Sequence, residues 1–572
     1  MNNFKETANF IWSIADLLRG DYKQSDYGKV ILPLVVLRRL DCVLDGSKEK
    51  VLKKYEEVKK MKLQNLDPIL NKVAGYNFHN KSKFNFDRLI ADPNNIAANL
   101  RNYINGFSED AREIIEQFEF DNQITRMDDN NLLFLVVKRF QEVDLHPKKL
   151  SSMEMGYVFE ELIRKFAEIS NETAGEHFTP REVIRLMVNL LFLNDRDILT
   201  KKGIVKTIYD CCAGTGGMLS VAEEYLHELN PDARLEVFGQ ELNPESYAIC
   251  KSDMIIKGQN ASNIKKGNSI SEDRLRKEKF DYLITNPPFG VKWQKIEKQV
   301  KEEHEKEGIS GRFGAGLPSV SDGSFLFLMH LMSKMKAEGS RLAIVFNGSP
   351  LFSGSPSTTK NESSIRQWII ENDRLEAIIA LPNQLFYNTG ISTYIWIISN
   401  NKPKKRRGKV QLINAESFFK KMSKSLGDKR NELSNEHISQ ITKLYGSFTE
   451  NEYSKIFDNE DFGYRKVTVE RPERDAKGNI VLDKNKKPKA DSSLRDTENI
   501  PLKEDLAVYM QREVLPHVPD AWVDESKTRV GYEINFTKYF YKYKPLRPLA
   551  EIKRDILALE EETVGLINEV VN

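Results

Sequence analysis

The fold of this chain is decided by the stretch TIYDCCAGTGG at residues 207–217, in which a short apolar strand enters a glycine-rich turn. A helical run, residues 218–226, begins directly behind the turn. Glycines allow the backbone to turn sharply and to approach a ligand closely, and a helix N-terminus favours a polar ligand group. We therefore predict a site for a nucleotide-like cofactor here, although the loop alone is equally compatible with a tight turn.

Around this turn, short β-rich runs alternate with helical stretches. Such alternation predicts an α/β fold, with a doubly wound, mostly parallel sheet and helices on both faces. Ligands of these sheets bind at the carboxyl ends of the strands. The predicted strands are residues 207–210, 235–240, 263–266, 281–285, 341–346, 375–380 and 393–398.

The two ends of the chain are predicted to be helical. Before residue 200 the apolar residues recur at helical spacing, and no strand alternation is evident. Near the C-terminus a heptad-like apolar stripe is formed by Ile552, Ile556, Leu559, Leu566 and Val570. The predicted domains are a helical N-terminal domain at 1–165, the α/β domain at 166–420 and a C-terminal region at 421–572 with a terminal helix.

Three charged segments of the C-terminal half need separate interpretations. Residues 471–493 are turn-rich and poor in apolar side chains, which predicts an exposed excursion. The run KPKKRRGK at 402–409 is interpreted as a solvated turn, with a phosphate contact as the alternative. The aromatic and basic run at 536–544 is either a nucleic-acid patch or a set of aromatics packed on the protein.

The composition of the 572 residues favours a multidomain cytoplasmic protein. Hydrophobic residues make up 40%, enough for a sizeable core, whereas the mean hydropathy of -0.51 argues against a membrane span. The N-terminal segment carries no signal-peptide pattern, and four cysteines fit a reducing compartment. The net charge is only +2, so contact with nucleic acid requires a local patch or the surface of a partner.

Two polar side chains at later strand ends extend the predicted cofactor site. Glu241 lies just past the second predicted strand, where a carboxylate can accept hydrogen bonds from ribose hydroxyls. Its separation from Gly214 is somewhat longer than the dinucleotide-binding fingerprint prefers. A third strand ends at Asn268, whose amide can contact an adenine edge. Glu241 therefore favours a ligand site over a bare turn.

The second constellation is Asn286-Pro287-Pro288-Phe289, which follows the predicted strand 281–285. Prolines fix φ and remove backbone donors, so neighbouring carbonyls are not tied up in a sheet. The Asn286 amide oxygen and the Pro287 carbonyl can then both accept from one exocyclic NH2 group, while Phe289 offers a face for a planar ring. Accepting both protons localises the lone pair of the amine, so the tetrad predicts a site that activates an amine for attack.

The motifs DCCAGTGG, Glu241 and NPPF, in this order, resemble those of S-adenosylmethionine-dependent methyltransferases that modify amines of nucleic acids. The segment GEHFTPR at 175–181 is similar to the block that wraps the methionine end of the cofactor in that superfamily. The segments YVFEELI at 157–163 and FGYR at 462–465 narrow the likeness, because they resemble those of modification (M) subunits of type I restriction–modification systems. The likeness covers nearly the whole chain. It implies a class I methyltransferase fold, a Rossmann-like doubly wound sheet, with a helical N-terminal domain and a helical C-terminal tail.

The resemblance also implies the role of each site residue. The base would be held by the catalytic residues Asn286, Pro287, Pro288 and Phe289. The residues expected to bind the cofactor are Glu176, His177, Phe178, Thr179, Pro180, Arg181, Asp210, Cys212, Ala213, Gly214, Gly216, Glu241 and Asn268. Many relatives carry Asp where Asn268 stands. No metal is expected, because the adjacent thiols of Cys211 and Cys212 suit one ion poorly.

The function that the resemblance implies is methyl transfer from S-adenosylmethionine to N6 of a flipped-out adenine in double-stranded DNA. The implied partners are a DNA-specificity subunit that chooses the sequence and a restriction/translocase subunit. Two copies of this chain per complex are expected, with the terminal helix as a docking element, and no membrane is involved. The alternatives are a stand-alone N6-adenine methyltransferase and a methyltransferase acting on protein glutamine or on adenine in RNA.

Overall fold

The computed structural model describes residues 3–61, 63–170, 179–387, 389–484, 486–541 and 547–571. They fold into two compact units, Met1–Ile534 and Asn535–Asn572. Helices make up the elements described in the N-terminal part, as predicted. They are α1 (Asn3–Ala15), α2 (Tyr27–Leu44), α3 (Lys48–Val58), α4 (Asp67–Ala74), α5 (Phe86–Ile90), α6 (Ile96–Asn105), α7 (Glu109–Glu116), α8 (Phe120–Asp129), α9 (Leu133–Gln141) and α10 (Ser152–Ser170).

Helix α2 forms the centre of this helical part. Its apolar residues occur all round the helix rather than on one stripe, and Ile31, Leu34 and Leu37 are fully buried. A helix that is apolar on every side must be enclosed by other elements. Helices α1, α8, α9 and α10 supply that enclosure.

The strands follow the helical part. They are β1 (Val205–Asp210), β2 (Arg234–Glu241), β3 (Ile264–Lys266), β4 (Tyr282–Thr285), β5 (Arg341–Asn347), β6 (Leu375–Ala380), β7 (Thr393–Ser399), β8 (Lys409–Asn414), β9 (Lys420–Leu426), β10 (Lys429–Glu432), β11 (Ser454–Asp458), β12 (Gly463–Glu470), β13 (Asp496–Pro501) and β14 (Trp522–Tyr532).

Nine strands form the central sheet, in the order β11-β8-β6-β7-β5-β4-β1-β2-β3. The pairs among β3, β2, β1, β4 and β5 are parallel, and so is β6 with β8. Strand β7 runs antiparallel between β5 and β6, and β11 is antiparallel to β8. The seven predicted strands are all confirmed, and the mostly parallel α/β class with them. The sequence analysis missed β8 and β11, which lie at the edge beyond β6.

Helices cover both faces of this sheet. The helices of this part of the chain are α11 (Arg181–Phe192), α12 (Arg196–Leu199), α13 (Gly217–Leu229), α14 (Pro244–Ile256), α15 (Glu297–Glu307), α16 (Ser324–Ser333), α17 (Ser349–Phe352), α18 (Glu362–Glu371) and α19 (Asn435–Ser447). Of these, α11, α13, α14, α16, α17 and α19 contact strands of the sheet. Along β5, Ala343 and Val345 join the main core with α11, whereas Phe346 meets Phe325 of α16. Successive strand residues point to opposite faces, so this alternation confirms the doubly wound arrangement.

The C-terminal part holds two smaller sheets, a hairpin of β9 and β10 and a sheet in the order β13-β12-β14. The predicted excursion, residues 471–493, is mostly exposed and is held by isolated bridges such as Pro472 to Ala490. The remaining helices are α20 (Leu506–Tyr509), α21 (Phe536–Phe540) and α22 (Leu549–Val571), which includes the predicted terminal helix. The predicted domain boundaries stay predictions, although β11 lies beyond residue 420.

The interpretation of the run 402–409 as a solvated turn is wrong for Lys402 and Arg406, which are both buried. Arg406 is fully buried, with its Nε 3.1 Å from a Glu376 carboxylate oxygen and its Nη1 donating to Gln411 at 3.0 Å. The guanidinium also lies 4.3 Å from the ring centre of Tyr445. Burial is tolerated because this carboxylate on β6 offsets the charge. None of the helices described is long and apolar enough to cross a membrane.

Candidate active site

Asp210 lies at the carboxyl end of β1, beneath the glycine-rich turn. Its Oδ1 accepts hydrogen bonds from the Cys212 backbone N–H at 2.9 Å and from the Thr285 hydroxyl at 2.7 Å. The residue is 1% exposed. Burial, and secondarily the charge of Glu241, raises the pKa of Asp210 to about 7 in spite of these hydrogen bonds. This carboxyl group is therefore poised to ionise when a cation binds beside it.

The turn after β1 needs glycine at two positions for different reasons. Gly214 has φ of +54° and Gly216 has φ of +86°, both in the left-handed region. A Cβ on Gly216 would lie 2.9 Å from Cys250 Sγ, so this glycine permits the loop to pack on α14. A Cβ on Gly214 would meet nothing within 4 Å, so its side is open. The loop thus presents bare backbone to a ligand.

Glu241 ties this loop to the end of β2. Its Oε2 accepts from the Gly214 backbone N–H at 2.8 Å, and its Oε1 accepts from the Asn243 N–H at 2.7 Å. Burial raises the pKa of the carboxyl group. Each oxygen of a carboxylate can accept more than one hydrogen bond. Glu241 is thus oriented by two backbone donors and retains capacity for the hydroxyls of a ligand.

Asn268 follows β3 and caps the turn that it begins. Its Oδ1 accepts from the backbone N–H groups of Ile270, at 2.9 Å, and Ser271, at 3.2 Å. The amide NH2 is therefore the group of Asn268 that can donate to a ligand. The adjacent Ser269 donates its hydroxyl to the Cys211 carbonyl at 2.6 Å. This hydrogen bond fixes the loop after β3 to the loop after β1.

The tetrad begins directly after β4. Asn286 is half-buried and lines the same pocket as the glycine loop, together with Pro288, while Pro287 is buried. The half-buried Phe289 ring meets Phe386 edge to face, with ring centres 6.2 Å apart and planes at 68°. Phe386 belongs to the loop that follows β6. The tetrad is therefore supported by the second half of the sheet.

Arg181 holds two helices against the glycine loop. Its guanidinium pairs with Glu160 of α10 at 2.7 Å and lies 5.1 Å from the ring centre of Tyr157. It also donates to the Gly217 carbonyl at 3.4 Å. Glu160 and Tyr157, both from the segment YVFEELI, thus contact Arg181, the first residue of α11. The predicted residues Glu176, His177 and Phe178 lie outside the described residues.

One pocket unites most of the predicted residues with apolar walls that were not predicted. The predicted residues that line it are Thr179, Asp210, Cys212, Ala213, Gly214, Glu241, Asn268, Asn286 and Pro288. The predicted residues that do not line it are Pro180, Arg181, Gly216, Pro287 and Phe289. The tetrad, through Asn286 and Pro288, and the glycine loop therefore open into the same space.

The sequence analysis missed both polar and apolar residues of the pocket, among them Glu160 and four large apolar side chains. Ile184, Met218, Leu242 and Phe327 line the pocket. Leu242 is 62% exposed and directly follows Glu241, and an exposed large apolar residue beside a predicted ligand carboxylate was an available signal. Phe327 comes from α16 and has no local motif. The pocket therefore combines polar strand ends with an apolar wall suited to a planar ring.

The thiol of Cys212 is not activated. The Sγ atoms of Cys211 and Cys212 are 4.0 Å apart. Hydrogen bonding to Cys211, followed by burial, raises the pKa of Cys212 well above its usual range. A thiol needs a lowered pKa to serve as a nucleophile at neutral pH. Within the described ranges, no group of three His, Cys, Asp or Glu side chains is placed to hold a metal ion.

Comparison with known proteins gives matches along most of the chain. The N-6 DNA methylase family model matches residues 151–471, and the HsdM N-terminal domain model matches residues 7–140. The type I restriction enzyme MjaIX methylase subunit of Methanocaldococcus jannaschii is 26% identical over 487 residues, which cover 81% of each chain. The HindI methylase subunit of Haemophilus influenzae is 29% identical over 268 residues, 46% of this chain and 54% of the relative.

Solved structures agree on the fold. The crystal structure of a type I restriction–modification methyltransferase subunit from Streptococcus thermophilus has a TM-score of 0.63 and 24% identity. It covers 80% of this chain and 97% of its own. A modification subunit of a type I enzyme from Vibrio vulnificus has a TM-score of 0.52 at 18% identity and covers 84% of this chain and 96% of its own.

The sheet order and the pocket at its carboxyl edge define a class I methyltransferase. The chain belongs to the N-6 DNA methylase family, whose model spans more than half of it, and within that family to the methylase subunits of type I restriction–modification systems. It is an adenine-specific DNA methyltransferase. The predicted family and activity are thereby confirmed, and the alternatives of protein glutamine and RNA adenine are set aside.

Proposed function

We propose that this chain moves a methyl group from S-adenosylmethionine to N6 of an adenine that has left the DNA helix. The observation that carries the proposal is the shared pocket, in which Gly214 and Glu241 lie on one side and Asn286 and Pro288 on another. When bound, the cofactor supplies an electrophilic methyl group on a sulfonium centre. Cofactor and base would thus meet within one enclosed space.

The residues of the pocket fit this cofactor. Glu241 retains acceptor capacity for ribose hydroxyls, and the open side of Gly214 admits a ligand against the backbone. Leu242 offers an apolar surface for the adenine ring of the cofactor, and the Asn268 NH2 group can donate to the edge of that ring. Asp210 would ionise beside a positively charged ligand, because its pKa is already close to neutral.

The base would be activated by acceptors rather than by a covalent intermediate. The amide oxygen of Asn286 and the carbonyl of Pro287 accept the two protons of the adenine NH2, which directs the nitrogen lone pair toward the methyl group. The nitrogen would gain the methyl group as the carbon–sulfur bond of the sulfonium centre breaks and leaves a neutral thioether, and it would then release one proton to water. Direct transfer needs no thiolate, consistent with the protonated Cys212. The adenine must leave the helix because its amine is otherwise paired.

Partners would supply the choice of sequence. We assign α22 to the docking of a DNA-specificity subunit that binds two copies of this chain, with a restriction/translocase subunit joining the complex. Ile552, Ile556 and Leu559 of α22 are between 38% and 62% exposed, and an apolar row of this kind marks an interaction site. We propose a cytoplasmic location, because the substrate is DNA.

The experiment uses the full chain with and without its specificity subunit. Labelled S-adenosylmethionine and unmethylated genomic DNA are incubated with each preparation, and the digested nucleosides are identified by mass spectrometry. We expect N6-methyladenine at a defined sequence in the complex, and cofactor binding with weak, unselective methylation for the chain alone. Label on cytosine, or site-specific methylation without the partner, would contradict the proposal.

A further inference from the structure

The hairpin of β9 and β10 is a basic element that the pocket itself does not include. Lys420, Lys421, Lys424 and Arg430 are all exposed. Among the described residues, no carboxylate lies within ion-pair distance of these four side chains. The chain as a whole carries a charge of only +2. Within 420–432 the only carboxylates are Asp428 and Glu432, against five Lys or Arg residues, so the hairpin is a local concentration of positive charge.

The hairpin is held firmly to the loop that follows β6. The backbone N–H groups of Arg430 and Asn431 donate to the Gln384 carbonyl at 2.9 and 3.1 Å. The backbone N–H of Asp428 donates to the Tyr387 carbonyl at 2.8 Å. A two-stranded hairpin in water is at best marginally stable alone. These bonds give it a defined position on the protein.

A fifth basic residue anchors the hairpin instead of facing solvent. Lys429 is buried, and its Nζ donates to the carbonyls of Leu385, at 2.9 Å, and Asn431, at 3.1 Å. It also pairs with Glu182 of α11. At the tip, Gly427 has φ of +59°, and a Cβ there would lie 2.5 Å from the Tyr387 carbonyl oxygen. The close approach of hairpin and loop thus depends on glycine and on an internal ion pair.

The loop beneath the hairpin also supports the base tetrad. Its Phe386 ring meets the Phe289 ring edge to face, and it lies between Leu385 and Tyr387, which both accept hydrogen bonds from the hairpin. The hairpin is therefore connected to the tetrad through a single loop. The hairpin follows β8 and the tetrad follows β4, and the carboxyl ends of these two strands lie at the same edge of the sheet.

We propose that the β9–β10 hairpin binds the DNA phosphates that flank the target adenine. A base that leaves the helix stays joined to its sugar, so its flanking phosphates are drawn to the mouth of the base pocket. Lys420, Lys421, Lys424 and Arg430 belong to the hairpin that is hydrogen-bonded to the loop supporting the tetrad. Phosphate contacts dominate affinity for DNA, and a nearly neutral protein needs a concentrated patch to make them. The assignment rests on the proposed function, because it takes the tetrad as the base pocket.

The test replaces the four side chains together, as K420Q/K421Q/K424Q/R430Q, in the full chain bound to its specificity subunit. Binding of a short fluorescent duplex is measured by anisotropy over a series of potassium chloride concentrations. Phosphate contacts do not depend on sequence, so any duplex serves. The slope of log affinity against log salt should become shallower by about 2 to 4. The KM for DNA should rise about tenfold or more at low salt, by the same loss of contacts.

A matched control is available in the exposed excursion outside the nine-stranded sheet. Lys477, Lys484, Lys486 and Lys487 are exposed there, so K477Q/K484Q/K486Q/K487Q removes equal charge. Its salt slope should stay that of the unaltered protein. Both variants should bind S-adenosylmethionine with normal affinity, which shows that they are folded.

The outcomes separate this proposal from the function beneath it. An unchanged salt slope in the hairpin variant, while the unaltered complex methylates adenine, would overturn the hairpin assignment. So would an equal loss in both quadruple variants, which would show a general effect of charge. A hairpin-dependent slope in a complex that methylates no adenine would support DNA binding by the hairpin and overturn the proposed function.

Discussion

Asp210 gives the site a pH dependence that can be measured without DNA. Burial raises its pKa to about 7, so about half of the folded molecules hold this proton at neutral pH. S-adenosylmethionine carries positive sulfonium and ammonium groups, and a nearby positive charge favours the ionised carboxylate. Cofactor binding should therefore release a proton from Asp210 when the solution is near or below neutral pH.

The size of the effect follows from the pKa. Below about pH 7, each further unit should weaken cofactor binding about tenfold until the pKa of the bound state is reached. Titration calorimetry in two buffers with different ionisation enthalpies counts the protons, which should approach one per cofactor at about pH 6. Asp210→Asn retains an oxygen that can accept from Cys212 and Thr285 but does not ionise. Its cofactor affinity should be weaker and should lose the part of the pH dependence that Asp210 contributes.

The free energy of unfolding should change with pH in the opposite sense to cofactor affinity, so it should fall as the pH rises. The folded chain holds a proton that the unfolded chain releases between pH 3.8 and about 7. This contribution is complete below the lower value and is lost as the pH rises through the higher one. The loss amounts to about 4 kcal/mol. Without cofactor, Asp210→Asn should therefore gain stability relative to the unaltered chain as the pH rises from about 4 to about 8.

The control is Glu241→Gln, because burial raises the pKa of that carboxyl group as well. It should lower cofactor affinity and still leave a proton released from Asp210. Calorimetry that shows no proton release in the unaltered protein near pH 6, or the same release in Asp210→Asn, would refute the reasoning. The reasoning would also be refuted if the difference in unfolding free energy between Asp210→Asn and the unaltered protein were the same at all pH values.

Three further sets of variants test the assigned roles. Asn286→Ala should abolish methyl transfer and leave cofactor affinity within about a few-fold. Gly214→Asp should lose cofactor binding, because it puts a second carboxylate beside Glu241. Equal losses of cofactor binding in the two variants would contradict two separate subsites. Phe289→Ala should weaken capture of the flipped base by about 1–3 kcal/mol, measured as KM for DNA, while Phe289→Tyr retains much of the activity; unchanged kinetics for the alanine variant would show that the ring does not meet the base. Truncation before Ala550 should release the specificity subunit on co-purification, and an intact, site-specific complex would contradict the docking role of α22.

The seven predicted strands are those whose apolar runs stand between turn signals and helical stretches. Strand direction was not predictable. Strand β7 is as apolar as β5 and β6, its neighbours in the sheet, although it runs antiparallel to both. Strand β8 was missed because the basic run 402–409 directly precedes it and overlaps its first residue. That run conceals the buried Arg406, whose partners Glu376 and Tyr445 come from β6 and α19. Such long-range pairing leaves no local pattern.

The residues of the site also divide into those that the sequence predicted and those that it did not. The glycine loop, Glu241 and the tetrad combine unusual residue types with strand ends, so local sequence was sufficient to nominate them. Phe327 and Phe386 carry no such signal, because a phenylalanine on a helix or in a loop is ordinarily core. Only the folded sheet brings α16 and the loop after β6 toward the tetrad. The glycine loop, Glu241 and the tetrad are therefore marked by local sequence, whereas the positions of Phe327 and Phe386 depend on long-range packing.

The N-terminal helical part contributes one buried carboxylate, that of Glu160, to the lining of the pocket. Glu160 of α10 lines the pocket and pairs with Arg181, which in turn donates to the Gly217 carbonyl at the start of α13. Both side chains are almost fully buried, and breaking such a pair by removing one partner costs about 3–5 kcal/mol. Gly156 leaves the space for the guanidinium, since a Cβ there would collide with it. The helix that ends the N-terminal part therefore belongs to the architecture of the methyltransferase site, because α10 and the glycine loop share one buried arginine.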